Sequence, residues 1–149
     1  MSLEYNQKPL IWPIILITLT VFGFTIWWCH QCIYEQHLQN DPMLWKLKDI
    51  LRPLHPEIQN LKLYRGKKSY TINKKKIFLC LKDKNGEYYN TNMLVYVLLH
   101  EFSHYLNTED IGHTPRFHQI FEDLLDKAYN MGLYDPYIPL VKNYCGYSD

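Results

Sequence analysis

A chain of 149 residues with a formal net charge of +1 is long enough for one compact domain and leaves little for a second. Near-neutral charge removes the bulk electrostatic case for a nucleic-acid binder, which ordinarily carries a clear basic excess. Thirteen tyrosines and eight prolines suggest amphipathic surfaces and rigid loops, and they name no chemistry.

The first element in chain order is apolar. Residues 10–28 (LIWPIILITLTVFGFTIWW) carry no charge, and at about 1.5 Å per residue a helix of that length covers roughly the ~30 Å hydrocarbon layer of a bilayer. Trp12 near one end and Trp27–Trp28 at the other resemble interfacial aromatic belts. Pro13 reads as a first-turn residue, and Gly23 is tolerated in lipid. A cleaved signal peptide is the rival reading, but no small-x-small site follows the run. A buried soluble helix would not be apolar on every face. The expectation is a tail over 1–9, a single membrane anchor over 10–29 and a connector over 30–42. Lys8 and the amino terminus ahead of the span give a slight bias toward a cytosolic N-terminus. Cys29 and Cys32 form a C-x-x-C with His30 and His37 nearby; no second pair completes a metal site, and lipidation or ordinary thiols are the simpler readings. Cys80 and Cys145 pair only if the fold brings them together.

Residues 43–149 read as one α+β domain. Leu44, Leu47, Ile50 and Leu51 recur at helical spacing until Pro53. Three short strands follow at 61–64, 69–73 and 77–81, with turns at Gly66 and Asn85-Gly86. The Lys74-Lys75-Lys76 run reads as a solvated turn. A helix over 91–106 has Asn90 or Asn92 as its cap, and Val95, Leu98, Leu99, Phe102 and Leu106 as its apolar stripe. After a loop at 107–113, Thr114-Pro115 opens a second helix in the order of cap and N1 proline, and Gly132 lies just past its end. Phe117, Phe121, Leu124, Leu125 and Ala128 form that helix's apolar face. The tail over 133–149 reads as irregular and packed.

The chemistry concentrates at His100-Glu101-Phe102-Ser103-His104. Two histidines four apart on a helix project from one face, so both imidazoles can reach one Zn²⁺ at roughly 2.0–2.1 Å. Glu101 faces the same cleft, where a carboxylate can take a proton from an attacking water and return it to the leaving amine. A chain of this composition produces the pattern by chance about 0.015 times, so coincidence is a weak competitor. A catalytic zinc needs a third protein ligand and an open fourth position. His113, nine residues on and preceded by Gly112, is the first candidate; Glu109, Asp110, His118 and Glu122 are its rivals. Glu109 and Asp110 read more simply as solvated loop carboxylates, and His118 as a partly buried packing residue. Tyr144 is a candidate donor to a developing oxyanion, against the plainer reading of a buried tyrosine. Ser69–Asn73 is either an ordinary sheet edge or one to which an extended peptide adds as a further strand.

The stretch LVYVLLHEFSHYLNTEDIGHTPRFHQIFEDLL resembles the WLM/SprT-like group of minimal zinc peptidases, in which the H-E-x-x-H helix is followed by a Gly-His or Pro-His step and a Phe-bearing helix. The chain resembles still more closely uncharacterised WLM-like proteins of large DNA viruses of eukaryotes, through Ser69–Lys74, Cys80–Tyr89 and Asn143–Gly146. The likeness covers roughly residues 45–147. It implies a minimal zincin-like fold, Zn²⁺ as cofactor, His100, His104 and His113 as its ligands, and Glu101 as the base. Together the readings predict a membrane-anchored zinc metallopeptidase acting on a protein or peptide substrate, with no nucleic-acid partner. Two alternatives stand beside it: a structural viral membrane protein that keeps a zinc site without turnover, and a protease acting on protein–DNA crosslinks, which follows from family analogy alone.

Overall fold

A computed structural model describes residues 8–146 of the chain, with side chains from residue 11 onward. The tail expected over 1–9 lies outside the described residues for its first seven positions. The chain divides into two units, with the boundary between His37 and Leu38.

Among its described residues the first unit is one helix. Helix α1 (Lys8–Gln39) contains Pro13 in its interior rather than in its first turn, and it continues through most of the segment expected as a connector. Residues 11–37 are exposed all round, and the helix is long and apolar enough to cross a membrane. Thr18, Thr20 and Thr25 fold their hydroxyls back onto the carbonyls of Ile15, Ile17 and Phe22, each at 2.8 Å. Each hydroxyl is thereby satisfied within the helix, which hydrocarbon surroundings require.

The second unit is α+β. Helix α2 (Pro42–Leu51) starts two residues before the first periodic apolar residue, Leu44, because Asp41 caps it: the Asp41 carboxylate accepts from the Met43 amide at 3.0 Å, and Pro42 fills N1. The same buried carboxylate accepts the Tyr88 hydroxyl at 2.9 Å and lies 3.8 Å from Arg65. A 3₁₀ turn over Pro56–Asn60 stands where only a break was expected.

Strands β1 (Lys62–Arg65), β2 (Tyr70–Ile72) and β3 (Lys76–Leu79) form a sheet in the order β1-β3-β2. β1 runs parallel to β3, with Leu63 opposite Ile77, and β2 returns antiparallel, with Thr71 opposite Ile77. Asn73 and Lys74, both at positive φ (50° and 52°), make the tight β2–β3 turn closed by the Lys75 amide on the Ile72 carbonyl at 3.0 Å. Side chains alternate across the sheet. Tyr64, Phe78 and Tyr70 stack on one face at 4.9 and 4.8 Å, which sends Leu63, Ile77 and Thr71 to the other.

Helix α3 (Thr91–Leu106) begins at Asn90, whose side chain accepts from the Met93 amide at 2.7 Å. Of the expected stripe Val95, Leu98, Leu99 and Phe102 are core and Leu106 is half-buried, and the burial extends beyond it to Met93, Leu94, Val97, Glu101 and Ser103. Helix α4 (Pro115–Asn130) packs on α3 through Phe117, Phe121, Leu124 and Ala128. Thr114 caps it, and Gly132 leaves it at φ +68°, a conformation suited to glycine. Cys80 and Cys145, 65 residues apart, meet in a disulfide with their Cα atoms 6.3 Å apart. Cys29 and Cys32 are free and exposed on α1.

Candidate metal centre

His100 and His104 project from adjacent turns of α3, their ring centroids 5.1 Å apart. His113 reaches them through a loop built for the return. The Asn107 side chain accepts from the Asp110 amide at 3.3 Å, and the Lys74 ammonium donates to the Asp110 carbonyl at 2.9 Å. Gly112 then takes φ +85°, which a side chain disfavours, and Thr114 begins α4. The result places His113 Nε2 at 3.1 Å from His100 Nε2 and 3.2 Å from His104 Nε2.

Both spacings, which share His113, fit pairs of ligands on one metal ion. A tetrahedral ion with bonds of about 2.0–2.1 Å holds its ligand atoms roughly 3.3–3.4 Å apart, and the observed spacings lie just inside that value. Without a shared cation or proton, converging lone pairs repel. All three ligand atoms lie within 4.8 Å of one another, and no further His, Cys, Asp or Glu among the described residues joins the group. Burial holds His100 neutral, its pKa lowered to about 4, with the neighbouring imidazoles adding to the effect. Burial lowers His104 as well, again helped by His113. Neutral imidazole is the form that binds a metal. Three neutral imidazoles form a donor set better suited to a transition metal than to calcium or magnesium.

Phe117 supports the cluster from below. Its buried ring stacks on His104 at 4.3 Å and meets His113 at 4.7 Å and His100 at 5.0 Å. Glu101 is buried beside the histidines, where the Thr71 hydroxyl, on the helix-facing side of β2, lies 2.8 Å from its Oε2. Burial pushes the Glu101 carboxyl up to about 7, against the opposing effect of that hydrogen bond. A groove of about 760 Å³ passes between β2 and the histidines, lined by Tyr70, Thr71, Lys74, Glu101, Ile111 and His113 among others.

The rivals for third ligand stand elsewhere. Glu109 is exposed and pairs with Arg116, Asp110 accepts the Thr114 hydroxyl at 3.1 Å, and Glu122 is exposed on α4. His118 is exposed rather than partly buried, because its position lies off the Phe117–Phe121–Leu124 stripe. Tyr144 lines a smaller neighbouring cavity rather than this groove; its hydroxyl donates to the Cys80 carbonyl and lies 2.9 Å from Ser69 Oγ, and burial pushes its pKa up. Thr71 and the supporting role of Phe117 were not singled out in the sequence. Thr71 has no local signal, and Phe117 registers there only as one member of an apolar stripe.

Three viral proteins resemble the chain. Uncharacterized protein 136R of Invertebrate iridescent virus 6 is 53% identical over 88 residues, covering 57% of this chain and 49% of that protein. Uncharacterized protein 042R of Invertebrate iridescent virus 3 is 51% identical over 87 residues, covering 58% and 54%. Uncharacterized protein R325 of Acanthamoeba polyphaga mimivirus is 33% identical over 108 residues, covering 66% and 54%. The chain thus spans about half the length of the curated relatives it matches. No family model matches the chain, and no solved structure matches it.

Proposed function

We propose that the chain is a membrane-anchored, zinc-dependent peptidase of the WLM/SprT-like kind, acting on a protein or peptide. The observation that carries the reading is the convergence of His100, His104 and His113 beside the buried carboxyl of Glu101, at the floor of an open groove. Zinc held by the three histidines would supply Lewis-acid polarisation of the scissile carbonyl and a more acidic attacking water. Glu101 moves the proton. Its buried carboxyl lies beside the three imidazoles, placed to accept a proton from water and release it to the leaving amine. The Thr71 hydroxyl orients that carboxyl from β2. β2 is one of the sheet's two outer strands and the one whose residues Tyr70 and Thr71 line the groove, which suits an extended peptide backbone adding there.

Tyr144 is not given the part of donor to a developing oxyanion, since its hydroxyl already donates to the Cys80 carbonyl. The structural-zinc alternative needs a fourth protein ligand to close the site. Cys145 is bonded to Cys80 and so is not available as a thiolate for that place, which favours an open site. The disulfide also favours placing the domain on the oxidising side of the membrane, with the N-terminus cytosolic, as the charge bias suggests.

The test uses the full chain purified in detergent. Wild type is expected to carry one zinc, His100→Ala and His113→Ala to lose it, and Glu101→Gln to keep it while peptide cleavage disappears. A folded wild type that takes up no zinc would sink the proposal.

A further inference from the structure

A second chamber opens off the groove at His100 and Glu101, with a volume of about 240 Å³. It is smaller than the ~300–1,000 Å³ typical of whole-ligand pockets, so it fits a side chain. One wall is α3, through Met93, Tyr96 and Val97; the other is Leu140, Val141 and Tyr144. Apart from His100 and Glu101 at its mouth, its polar lining is Ser69 and Asn143, together with the tyrosine hydroxyls. Ser69 Oγ is occupied by the Cys80 amide at 3.0 Å and by the Tyr144 hydroxyl. An apolar side chain entering there would gain by burial, whereas a charged one would give up its water for few partners, chiefly Asn143 and the groups at the mouth.

The second wall does not hold itself in place. Leu140 and Val141 are 37% and 38% exposed, and residues 139–143 belong to no helix or strand. The segment is fastened just beyond them. Cys145 is bonded to Cys80, the Tyr144 hydroxyl donates to the Cys80 carbonyl, and the Cys145 amide donates to the Tyr89 hydroxyl at 3.0 Å. Asn143, Cys145 and Gly146 take left-handed φ values of 57°, 51° and 80° around that fastening.

We propose that residues 139–146 form a disulfide-clamped strap that determines specificity, selecting a peptide with a large apolar side chain, of leucine or phenylalanine size, next to the bond cleaved. This rests on the peptidase reading for its purpose, but the selection itself is readable without metal or turnover. In the metal-free full chain in lipid nanodiscs, with methyl-labelled Met, Leu and Val, N-acetyl-leucine amide and N-acetyl-phenylalanine amide are titrated against the glycine and aspartate amides. The apolar amides should bind at least tenfold more tightly and shift the methyl signals of Met93, Val97, Leu140 and Val141. Val141→Asp, a change at an exposed position, should abolish the preference. Reduction of the wild type, or Cys145→Ser, should lower it below threefold. Equal binding of leucine and glycine amides, or a preference untouched by Val141→Asp and by reduction, overturns the proposal. Leucine selection in a chain that cleaves no peptide upholds the strap and defeats the peptidase reading alone.

Discussion

Replacing Phe117 by alanine empties the space beneath the three imidazoles without touching a ligand. The ring is buried in the core, and its centroid lies 4.3–5.0 Å from the three histidine rings and 5.9 Å from Phe121. Phe-to-Ala changes at such sites cost about 3–5 kcal/mol, a large share of a domain's roughly 5–15 kcal/mol. The effect on the site should be separable from that loss. Residues that orient ligands without binding the metal alter its affinity by about 10–100-fold, and Phe117 restrains all three rings. The expected result for Phe117→Ala is therefore a lower urea midpoint and zinc binding weakened by about tenfold or more, measured by competition with a chromophoric chelator under folded conditions. Phe117→Leu should recover most of the stability, because volume is largely kept, and only part of the affinity, because a branched chain cannot stack on His104. Zinc affinity within threefold of wild type in a folded Phe117→Ala chain would refute the reasoning. It would mean that the helices and the 107–113 loop alone aim the histidines.

Gly112→Ala should cost about 1–2 kcal/mol and weaken zinc binding through His113, since φ +85° is strained for any side chain although open space surrounds the glycine; chemical denaturation and chelator competition measure the two effects. Asn90→Ala should remove about 1 kcal/mol by uncapping α3, with little change in zinc affinity. Reducing the disulfide, which closes a 65-residue separation, should lower stability by about 4 kcal/mol on the chain-entropy account, seen as a drop in the urea midpoint. In the metal-free chain His100 and Glu101 pull the pH dependence in opposite directions. His100, depressed to about 4, withholds a proton that the unfolded chain takes up below 6.5, so it destabilises as pH falls through that window. Glu101, raised to about 7, holds a proton the unfolded chain releases above 4.5, so it stabilises on the same descent. Glu101→Gln should therefore steepen the loss of stability between pH 7 and pH 5; identical slopes in the two proteins would contradict the assignment.

What was legible in the sequence was chemistry carried by near neighbours. Asn90 and Thr114-Pro115 announce α3 and α4 because a cap bonds amides two or three residues on. His100, Glu101 and His104 fall together because a helix repeats every 3.6 residues, and Gly112 marks the turn that returns His113. The remainder depends on partners distant in the chain. Nothing in residues 62–65 says that β1 lies parallel to β3 rather than pairing with β2, yet that order leaves β2 at the edge beside the groove. Thr71 meets Glu101 across 30 positions, and its usefulness follows from which face of β2 it occupies. Cys80 and Cys145 were an open question for the same reason. The continuation of α1 to Gln39 was obscured by a polar composition that ends an apolar run without ending a helix.

The disulfide has a consequence for how the molecule would look if it were cut. Cys80 and Cys145 enclose α3, α4 and the stretch after Gly132, where Tyr137 is 83% exposed. A single nick anywhere in that interval leaves both pieces covalently joined. The product would migrate as one species on a non-reducing gel and as two fragments once thiol is added. A processed form would thus pass for the intact chain unless it were reduced first.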